Sequence, residues 1–319
     1  MSTNTDLFPG FTSHHLPTPD GTTIFVRTSN SKSATSKPPL LLLHGYPQTH
    51  IEFHKLAPLL TPHFTLILPD LRGYGASSPA PHSTNGSGYT KRLMAQDCVS
   101  VMSQLGYTKF AVAGHDRGAR VAYRLAFDHP SRVSSVVVMD IVPTAEMFRG
   151  FGDVGRGLKG WHWLFLAQAE PFPETMIGAG DGGRVYLEYA MGSWTGDGTL
   201  GVFTEDMMGR YREAYCVEER IHSTCEDYRA AAAFDRVYDE EELAAGRKIE
   251  VPVLAVWGES GLFAGEMMKK KQKKGEGEGP VEVWQRYCVD VRGKGLNCGH
   301  FVPEEDPEGL AEEILRFLL

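Results

Sequence analysis

The stretch at residues 109–130, KFAVAGHDRGARVAYRLAFDHP, decides the fold. Its first part, residues 110–113, is a short apolar run, which is typical of a buried parallel strand. Residues 119–127 are mostly helix formers with one apolar face. Because only GHDRG separates these two parts, the stretch predicts a strand that turns sharply into a helix, with Asp116 at the turn.

The turn has the form Gly-x-Asp-x-Gly and resembles the nucleophile elbow of α/β-hydrolases, with aspartate in the place of serine. Glycines are needed there because a Cβ at either position would collide with a neighbouring strand or helix. The turn presents the central side chain at the carboxyl edge of the sheet, where open α/β sheets bind ligands. Alone, the motif also fits an aspartate that merely caps a helix. The strand before it and the helix after it favour a nucleophile.

Length and composition argue against several classes of function. The chain has 319 residues, of which 42% are hydrophobic, and this suits one large α/β domain with an insertion. Its formal net charge of −8 does not favour binding to nucleic acid or to an acidic membrane. The five cysteines are scattered, and neither a membrane-spanning run nor a secretory signal is visible. We therefore expect a cytoplasmic protein with free thiols.

Apolar runs predict the strands of a mostly parallel sheet. They lie at residues 39–44, 64–68, 110–113, 133–139 and 251–257, with an edge strand at 22–27 and a poorly patterned strand near 289–292. Helices are predicted at 89–105, 119–127, near 283–287 and at 307–319. The pattern predicts an α/β-hydrolase fold with helices on both faces of the sheet.

From residue 144 to about 234 the alternation of strands and helices stops, and aromatic and helix-forming residues predominate. This predicts a helical cap inserted between two strands. The predicted domains are a core of residues 1–143 and 235–319 and a cap of residues 144–234. Residues 267–279, MMKKKQKKGEGEG, fit either a patch for an anionic partner or a solvated insertion, and the Gly-Glu repeat favours the insertion.

An aspartate nucleophile needs a base and a residue that orients this base. In this fold the order along the chain is nucleophile, acid, histidine. His300 lies in a short Gly-containing loop before the last predicted helix and is the candidate base. Asp140 ends one predicted strand, whereas Glu259 follows another strand too closely for the usual position of the acid. We favour Asp140 over Glu259 as the acid.

The sequence His-Gly-Tyr-Pro at residues 44–47 supplies the other half of an oxyanion hole. The backbone N–H groups of Tyr46 and Arg117 can converge on one oxygen atom. We expect the side chain of His44 to be structural and to bridge loops by hydrogen bonds.

Arg117 and Arg120 are three residues apart and share a face at a helix N-terminus, where the helix dipole favours anions. A guanidinium fork suits a carboxylate. The two arginines could instead pair with a nearby acid such as Asp128 or hold Asp116 ionised. Tight pairing with Asp116 would make this carboxylate a weaker nucleophile. We therefore favour a substrate carboxylate as the partner of the two arginines. We expect Arg124 to be structural.

The cap contains Trp161-His162-Trp163, Trp194 and the sequence Cys-Glu-Asp-Tyr-Arg at 225–229. These side chains could line a small pocket and donate hydrogen bonds to a halide. From the residues alone, the aromatic core of a helical cap is the better interpretation.

Together these motifs resemble those of the fluoroacetate (haloacetate) dehalogenases of the α/β-hydrolase superfamily, close relatives of epoxide hydrolases. The resemblance covers nearly the whole chain, from about residue 11 to residue 319. Its motifs are HGYPQTH at His44, PDLRGYGASS at Pro69, GHDRGARVAYRLA at Gly114, MDIVPT at Met139, HWLFLAQ at His162, SWT at Ser193, CEDYRA at Cys225 and GHFVPEE at Gly299.

The resemblance implies a role for each matching residue. It implies a nucleophile, a base and an acid at Asp116, His300 and Asp140, and a carboxylate clamp at Arg117 and Arg120. It further implies halide-binding groups and a pocket-lining tryptophan at His162, Trp163, Tyr228 and Trp194. The chain departs from the family at Met147, where a tyrosine is common, and in the Lys-rich insertion.

These roles imply hydrolytic dehalogenation of a short 2-haloacid through an ester of Asp116, without a metal or organic cofactor. An aspartate suits displacement at saturated carbon because it is ionised at neutral pH. An epoxide hydrolase with the same triad is the alternative, with acids from Tyr186, Tyr189, Tyr211 or Tyr215, although those enzymes usually have tryptophan at the position of Arg117. A non-catalytic binding protein is a second alternative. The expected partners are a small-molecule substrate and a second copy bound through the cap.

Overall fold

A computed structural model describes residues 5–29, 37–261 and 278–319. Residues 267–277 of the Lys-rich insertion lie outside these ranges, so its interpretation as a solvated insertion stays a prediction. All five cysteines lie within the described ranges and are free thiols.

Eight strands of the described chain form one mixed sheet. They are β1 (Phe11–Pro17), β2 (Thr23–Ser29), β3 (Pro39–Leu43), β4 (Thr65–Pro69), β5 (Phe110–His115), β6 (Val133–Met139), β7 (Val253–Gly258) and β8 (Val291–Leu296). Their order in the sheet is β1-β2-β4-β3-β5-β6-β7-β8. β2 pairs antiparallel with β1 and β4, and all other neighbours are parallel. This sheet confirms the predicted α/β-hydrolase fold.

Helices cover both faces of the sheet because the side chains of a strand alternate between its faces. In β3, Leu41 and Leu43 join one buried apolar cluster, whereas Leu40 and Leu42 join another. The first cluster includes residues of α2 (Lys91–Gln104) and α3 (Asp116–Asp128). The second includes residues of α1 (Ala57–Leu60) and α14 (Pro307–Leu318).

Helices make up most of the segment between β6 and β7. It contains α4 (Thr144–Gly150), α5 (Val154–Lys159), α6 (Trp161–Leu166), α7 (Phe172–Gly178), α8 (Gly182–Trp194), α9 (Glu205–Tyr215), α10 (Glu218–Ala230) and α11 (Arg236–Ala244). A π-helical turn, Ala231–Asp235, joins α10 to α11 without a break. The predicted domain boundary at residue 234 falls inside this turn, and the domain limits remain a prediction. We call residues 144–244 the helical segment.

The remaining helices are α12 (Pro280–Trp284) and α13 (Val302–Glu305), with short 3₁₀ turns at His50–His54 and Ser87–Tyr89. Within the described ranges, every helix is too short or too polar to cross a membrane.

Two strands differ from the sequence prediction. β1 was not predicted, and it pairs with β2, so the predicted edge strand at 22–27 is the second strand of the sheet. The side chains of β1 are exposed or half-buried, and such a strand lacks the apolar pattern that marks a buried one. β8 lies at residues 291–296 rather than near 289–292. A Cβ on its Gly293 would lie 2.2 Å from the Val281 side chain, so packing places glycines in a strand where they weaken the pattern.

Candidate active site

The elbow forms where β5 runs directly into α3. Asp116 is the first residue of α3, and its φ of +43° is in the left-handed region that non-glycine residues rarely adopt. A Cβ on Gly114 would lie 2.4 Å from the Gly118 carbonyl oxygen, and one on Gly118 would lie 2.2 Å from the carbonyl oxygen of Leu43. Both glycines are therefore required for the close contact of β3, β5 and α3 that produces the turn.

The carboxylate of Asp116 is buried beside cationic groups. The backbone N–H of Tyr46 donates to its Oδ1 at 3.0 Å. Burial alone would raise the pKa of Asp116, but His300, Arg120 and Arg117 outweigh it and lower this pKa. The arrangement keeps a buried carboxylate ionised, as displacement at carbon requires.

His300 lies between two carboxylates. Its Nδ1 is 2.6 Å from Oδ2 of Asp140, and its Nε2 is 3.9 Å from Oδ2 of Asp116. Asp140 follows β6 directly, with a φ of +51°, and its Oδ1 accepts a hydrogen bond of 3.1 Å from the N–H of Gly258. Glu259, the alternative acid, has an exposed side chain. Geometry therefore places Asp140, not Glu259, on His300.

The buried side chains of His115 and Glu52 hold the backbone of His300 in place. His115 donates to the His300 carbonyl oxygen at 2.8 Å through Nε2, and its Nδ1 is 3.2 Å from Oε2 of Glu52. Burial alone would lower the pKa of His115, but the Glu52 carboxylate outweighs it and raises the pKa to about 9. His44 bridges loops, as expected: its Nε2 accepts from the N–H of Leu71 at 3.0 Å.

Arg117 is fully buried and forms a fork on Asp227 of α10. Its Nε donates to Oδ2 at 3.0 Å and its Nη2 to Oδ1 at 2.6 Å, with a third bond of 2.8 Å from Nη2 to the Asp227 carbonyl oxygen. The remaining nitrogen, Nη1, is buried and has no partner among the described residues. Arg117 does pair with an acid, but that acid is Asp227, while Asp128 pairs with Arg124.

Arg120 is anchored on one side in a similar way. Its Nη1 donates to the Val142 carbonyl oxygen at 3.0 Å and to Oγ1 of Thr144 at 3.1 Å. Its Nε and Nη2 are buried and unpartnered within the described part of the chain. Burial lowers the pKa of Arg120. The two guanidinium groups therefore have three nitrogens without an acceptor in the described chain: Nη1 of Arg117 and Nε and Nη2 of Arg120.

Aromatic rings of the helical segment pack over these arginines. The guanidinium carbon of Arg117 lies 4.3 Å from the centroid of the Tyr228 ring, and that of Arg120 lies 4.4 Å from the centroid of the Trp163 ring. Trp163 and Tyr228 contact each other edge to face at 5.2 Å. Tyr46 also packs against Tyr228, with ring centroids 5.2 Å apart.

His162 joins this group to His300 through Trp194. Its ring lies 4.5 Å from Trp194, which contacts the His300 ring edge to face at 5.8 Å. Burial lowers the pKa of His162 to about 3, so the imidazole is neutral at physiological pH. Its Nδ1 is buried without a partner in the described chain.

The structure brings all ten predicted site residues into one connected group. They are Tyr46, Asp116, Arg117, Arg120, Asp140, His162, Trp163, Trp194, Tyr228 and His300. The four tyrosines considered as acids for epoxide opening have different surroundings. The Tyr211 hydroxyl binds Glu304 at 2.5 Å, and Tyr189 is 62% exposed. The Tyr215 hydroxyl binds that of the site residue Tyr46 at 2.9 Å, and Tyr186, which stacks on Tyr215, has a buried hydroxyl without a partner in the described chain.

Sequence reasoning missed the residues that anchor the two arginines. Asp227 and Thr144 contact the guanidinium groups, and Lys91 and Tyr74 contact Asp227 in turn. The sequence did contain one indication of the role of Asp227: it immediately precedes Tyr228 in the motif CEDYRA, which was already assigned to the site. Nothing in the sequence indicates that Lys91, at the start of a helix, is buried.

Known proteins are similar to this chain along nearly its whole length. Residues 38–274 match the family model of the alpha/beta hydrolase fold. Fluoroacetate dehalogenase of a Burkholderia species is 36% identical over 293 residues, which cover 91% of this chain and 90% of that protein. Soluble epoxide hydrolase of Corynebacterium sp. (strain C12) is 32% identical over 287 residues, covering 89% and 91%. A solved alpha/beta hydrolase from Nostoc sp. PCC 7120 has 42% identity and a TM-score of 0.86, covering 98% and 99%.

Proposed function

The chain belongs to the α/β-hydrolase family, with fluoroacetate dehalogenase and soluble epoxide hydrolase among its relatives, and on this basis we propose that it dehalogenates short 2-haloacids by hydrolysis. The observation that carries the proposal is the pair of buried arginines beside Asp116. Nη1 of Arg117 and Nε and Nη2 of Arg120 have no acceptor in the described chain.

Unpartnered N–H groups in a buried site favour a ligand that accepts from them. Leaving a buried donor without an acceptor costs about 1–3 kcal/mol, and more when the group is charged. A carboxylate supplies two oxygens and a negative charge, which match the free edges of Arg117 and Arg120. The ligand proposed for this site is therefore a small carboxylic acid.

In the first half-reaction, the two arginines hold the carboxylate so that the halogen-bearing carbon faces Asp116. A carboxylate oxygen of Asp116 forms a bond to this carbon as the carbon–halogen bond breaks, and the halide leaves with the electron pair. Orientation makes this attack effectively intramolecular. The halide would be stabilised by hydrogen bonds from His162, Trp163 and Tyr228, whose rings contact one another.

In the second half-reaction, the resulting ester is hydrolysed. His300, oriented by Asp140, removes a proton from water, and the hydroxide adds to the carboxyl carbon of Asp116. The backbone N–H groups of Tyr46 and Arg117 would stabilise the oxyanion of this tetrahedral intermediate. The bond between the carboxyl carbon and the ester oxygen, which Asp116 supplied in the first half-reaction, then breaks. The 2-hydroxy acid leaves with the proton from His300, and the second proton of the water passes to solvent, which restores the Asp116 carboxylate.

The experiment is halide release from fluoroacetate, chloroacetate and 2-chloropropionate by the wild type and by Asp116→Asn. We expect release by the wild type and none by the variant while its thermal stability stays close to that of the wild type. Equal release by both proteins would refute an Asp116 nucleophile. Wild-type protein that releases no halide from any of the three acids would refute the proposed reaction.

Epoxide hydrolysis is the second candidate because the chain is 32% identical to a soluble epoxide hydrolase over 89% of its length. Tyr186 and Tyr228 would be the tyrosines that protonate an epoxide oxygen: the Tyr186 hydroxyl is buried without a partner in the described chain, and Tyr228 packs on Tyr46 and Arg117. Styrene oxide assayed in parallel separates the two: diol without halide release would favour the epoxide hydrolase. Tight binding of an acid without either product would favour a binding protein.

The cap domain at residues 144–234 and a homodimer formed through it remain proposals. Several large apolar side chains of the helical segment are exposed, namely Val154, Leu158, Phe172, Met176, Val185 and Tyr189. Light scattering at several protein concentrations would measure the oligomeric state.

A further inference from the structure

Asp227 is the buried acid that Arg117 shares with a second cation. We propose that Asp227 is a positioning residue, which holds Arg117 away from Asp116 and so keeps one edge of its guanidinium available for the substrate carboxylate. This inference rests on the proposed function, because it concerns how the carboxylate site is built.

The contacts of Asp227 use both oxygens of its carboxylate. Arg117 binds both of them, Lys91 contacts Oδ1, and the Tyr74 hydroxyl donates to Oδ2 at 2.8 Å. All four side chains are almost completely buried. Arg117 and Lys91 outweigh the effect of burial and lower the pKa of Asp227. The carboxylate is therefore ionised and fully occupied by groups of the protein, which leaves it no capacity to bind a ligand.

The network fixes the direction in which Arg117 points. Nε and Nη2 are both committed to Asp227, so Nη1 is the nitrogen that remains for other partners. Arg117 is also adjacent in sequence to Asp116, whose carboxylate is buried in the same region. A buried guanidinium requires a negative partner. Without Asp227, the other buried carboxylates that interact with Arg117 are those of Asp116 and Asp235. A pair of Arg117 with Asp116 would weaken the nucleophile and occupy the clamp.

Asp227 also links the two parts of the proposed site. It lies on α10 directly before Tyr228, which packs on the Arg117 guanidinium. One turn of α10 therefore fixes both the orientation of the Arg117 guanidinium and the position of Tyr228, which is proposed to donate a hydrogen bond to the halide. Lys91, at the start of α2, holds the same turn against the core.

The test must distinguish positioning from a purely structural role, because Asp227→Asn leaves two buried cations unpaired. The double variant D227N/K91M removes one cation together with the charge of the acid and preserves the buried volume. Asp97→Asn is the matched control: Asp97 forms a buried fork on Arg72, with bonds of 2.7 and 2.6 Å. The other polar partners of Arg72 in the described chain are Asp20 and the Gly88 carbonyl oxygen, which lie outside the ten site residues. Circular dichroism and thermal unfolding identify which variants are folded.

The measurements are kcat and KM for chloroacetate, and calorimetric binding of glycolate and of its neutral analogue glycolamide. For folded D227N and D227N/K91M we expect KM for chloroacetate and Kd for glycolate to rise at least about tenfold, with glycolamide binding little changed. We expect D97N to lose thermal stability but to keep the wild-type KM and Kd.

A folded D227N/K91M protein with wild-type KM and wild-type glycolate affinity would overturn the inference and make Asp227 structural. The glycolate measurement does not depend on turnover. If the wild type binds glycolate more tightly than glycolamide but releases no halide, the proposed reaction fails, and the loss of this preference in D227N/K91M still supports the inference. Wild-type protein without any preference for glycolate would overturn both.

Discussion

The Nε2 atom of His300 lies 3.9 Å from Oδ2 of Asp116, which is longer than a hydrogen bond. His300 is therefore placed beside the nucleophile rather than bonded to it. A serine nucleophile must lose a proton to its histidine, but the pKa of Asp116 is lowered, and a carboxylate needs no base before it attacks. In the proposed reaction, His300 is needed only for the later attack of water. This separation leads to the first prediction.

For His300→Gln we expect alkylation of Asp116 without hydrolysis of the ester. Incubation with chloroacetate should release about one equivalent of chloride per site and then stop. Mass spectrometry of the intact protein should show one added carboxymethyl group, which peptide mapping should place on Asp116. Sustained turnover by this variant, or an unmodified protein after the burst of chloride, would contradict the assignment of the two residues.

Arg120→Met should weaken binding of acids and leave binding of neutral analogues largely unchanged. Two nitrogens of Arg120 have no described partner, and each charge-assisted hydrogen bond lost is worth about 1.5–3 kcal/mol. We expect KM for chloroacetate to rise at least about tenfold, with a smaller change for chloroacetamide. The matched variant Arg120→Lys keeps the charge and should recover part of the affinity. Equal effects on the acid and the amide would point to a structural role.

His162→Phe should reduce release of fluoride more than release of bromide. The imidazole of His162 is neutral because burial lowers its pKa to about 3, and it lies in the ring cluster above the arginines. Fluoride is the stronger hydrogen-bond acceptor, so loss of a donor affects its departure more, by up to about a hundredfold. Phe172→Leu is the control, since Phe172 is 53% exposed and its ring packs on Phe165. A uniform loss for both halides would remove His162 from the halide site.

Glu304 should make stability depend on pH. Burial raises the pKa of Glu304 from 4.5 to about 7, and its neighbours are the Tyr211 hydroxyl, Lys55 and His54. Below the unfolded-state pKa the acid is protonated in both states. As the pH rises through 7, the folded protein must ionise a buried acid, so the free energy of unfolding falls by at most about 3 kcal/mol between pH 4.5 and pH 8.

Urea unfolding of the wild type and of Glu304→Gln at several pH values tests this expectation. The stability of the variant relative to the wild type should increase as the pH rises from 5 to 8. Glu308→Gln serves as the control because Glu308 is exposed on α14. Parallel pH profiles for the wild type and E304Q would show that Glu304 does not titrate as a buried acid.

The parts of the molecule that could be predicted from sequence are those with local causes. The elbow follows from five consecutive residues, and Gly114 and Gly118 are required by contacts with adjacent strands and helix. Asp140 and His300 could be found because they follow strands whose carboxyl ends meet at one edge of the sheet. The cap aromatics could be assigned only through resemblance to a family, since aromatic residues are equally typical of a helical core.

The parts that could not be predicted depend on contacts between distant residues. Arg117 and Asp227 are 110 positions apart, and the sequence does not indicate which of many acids meets the guanidinium. Burial of Lys91 depends on the same contact. β1 is an exposed edge strand, and its pairing with β2 is decided by backbone hydrogen bonds rather than by apolar side chains.

The uninterrupted course of α10 through the π-helical turn into α11 has a consequence for protein engineering. Acids along this continuous helix bind residues of α2 and α3. Asp227 pairs with Arg117 and Asp239 with Arg124, both on α3, and Asp235 accepts from the N–H of Lys91 at the start of α2. A chimera that exchanges this region between relatives should therefore be joined after Ala244 rather than near residue 234. The recipient should also contain basic residues at the positions that pair with these acids. Without them, the transplanted helix would bring unpaired charges into the interior.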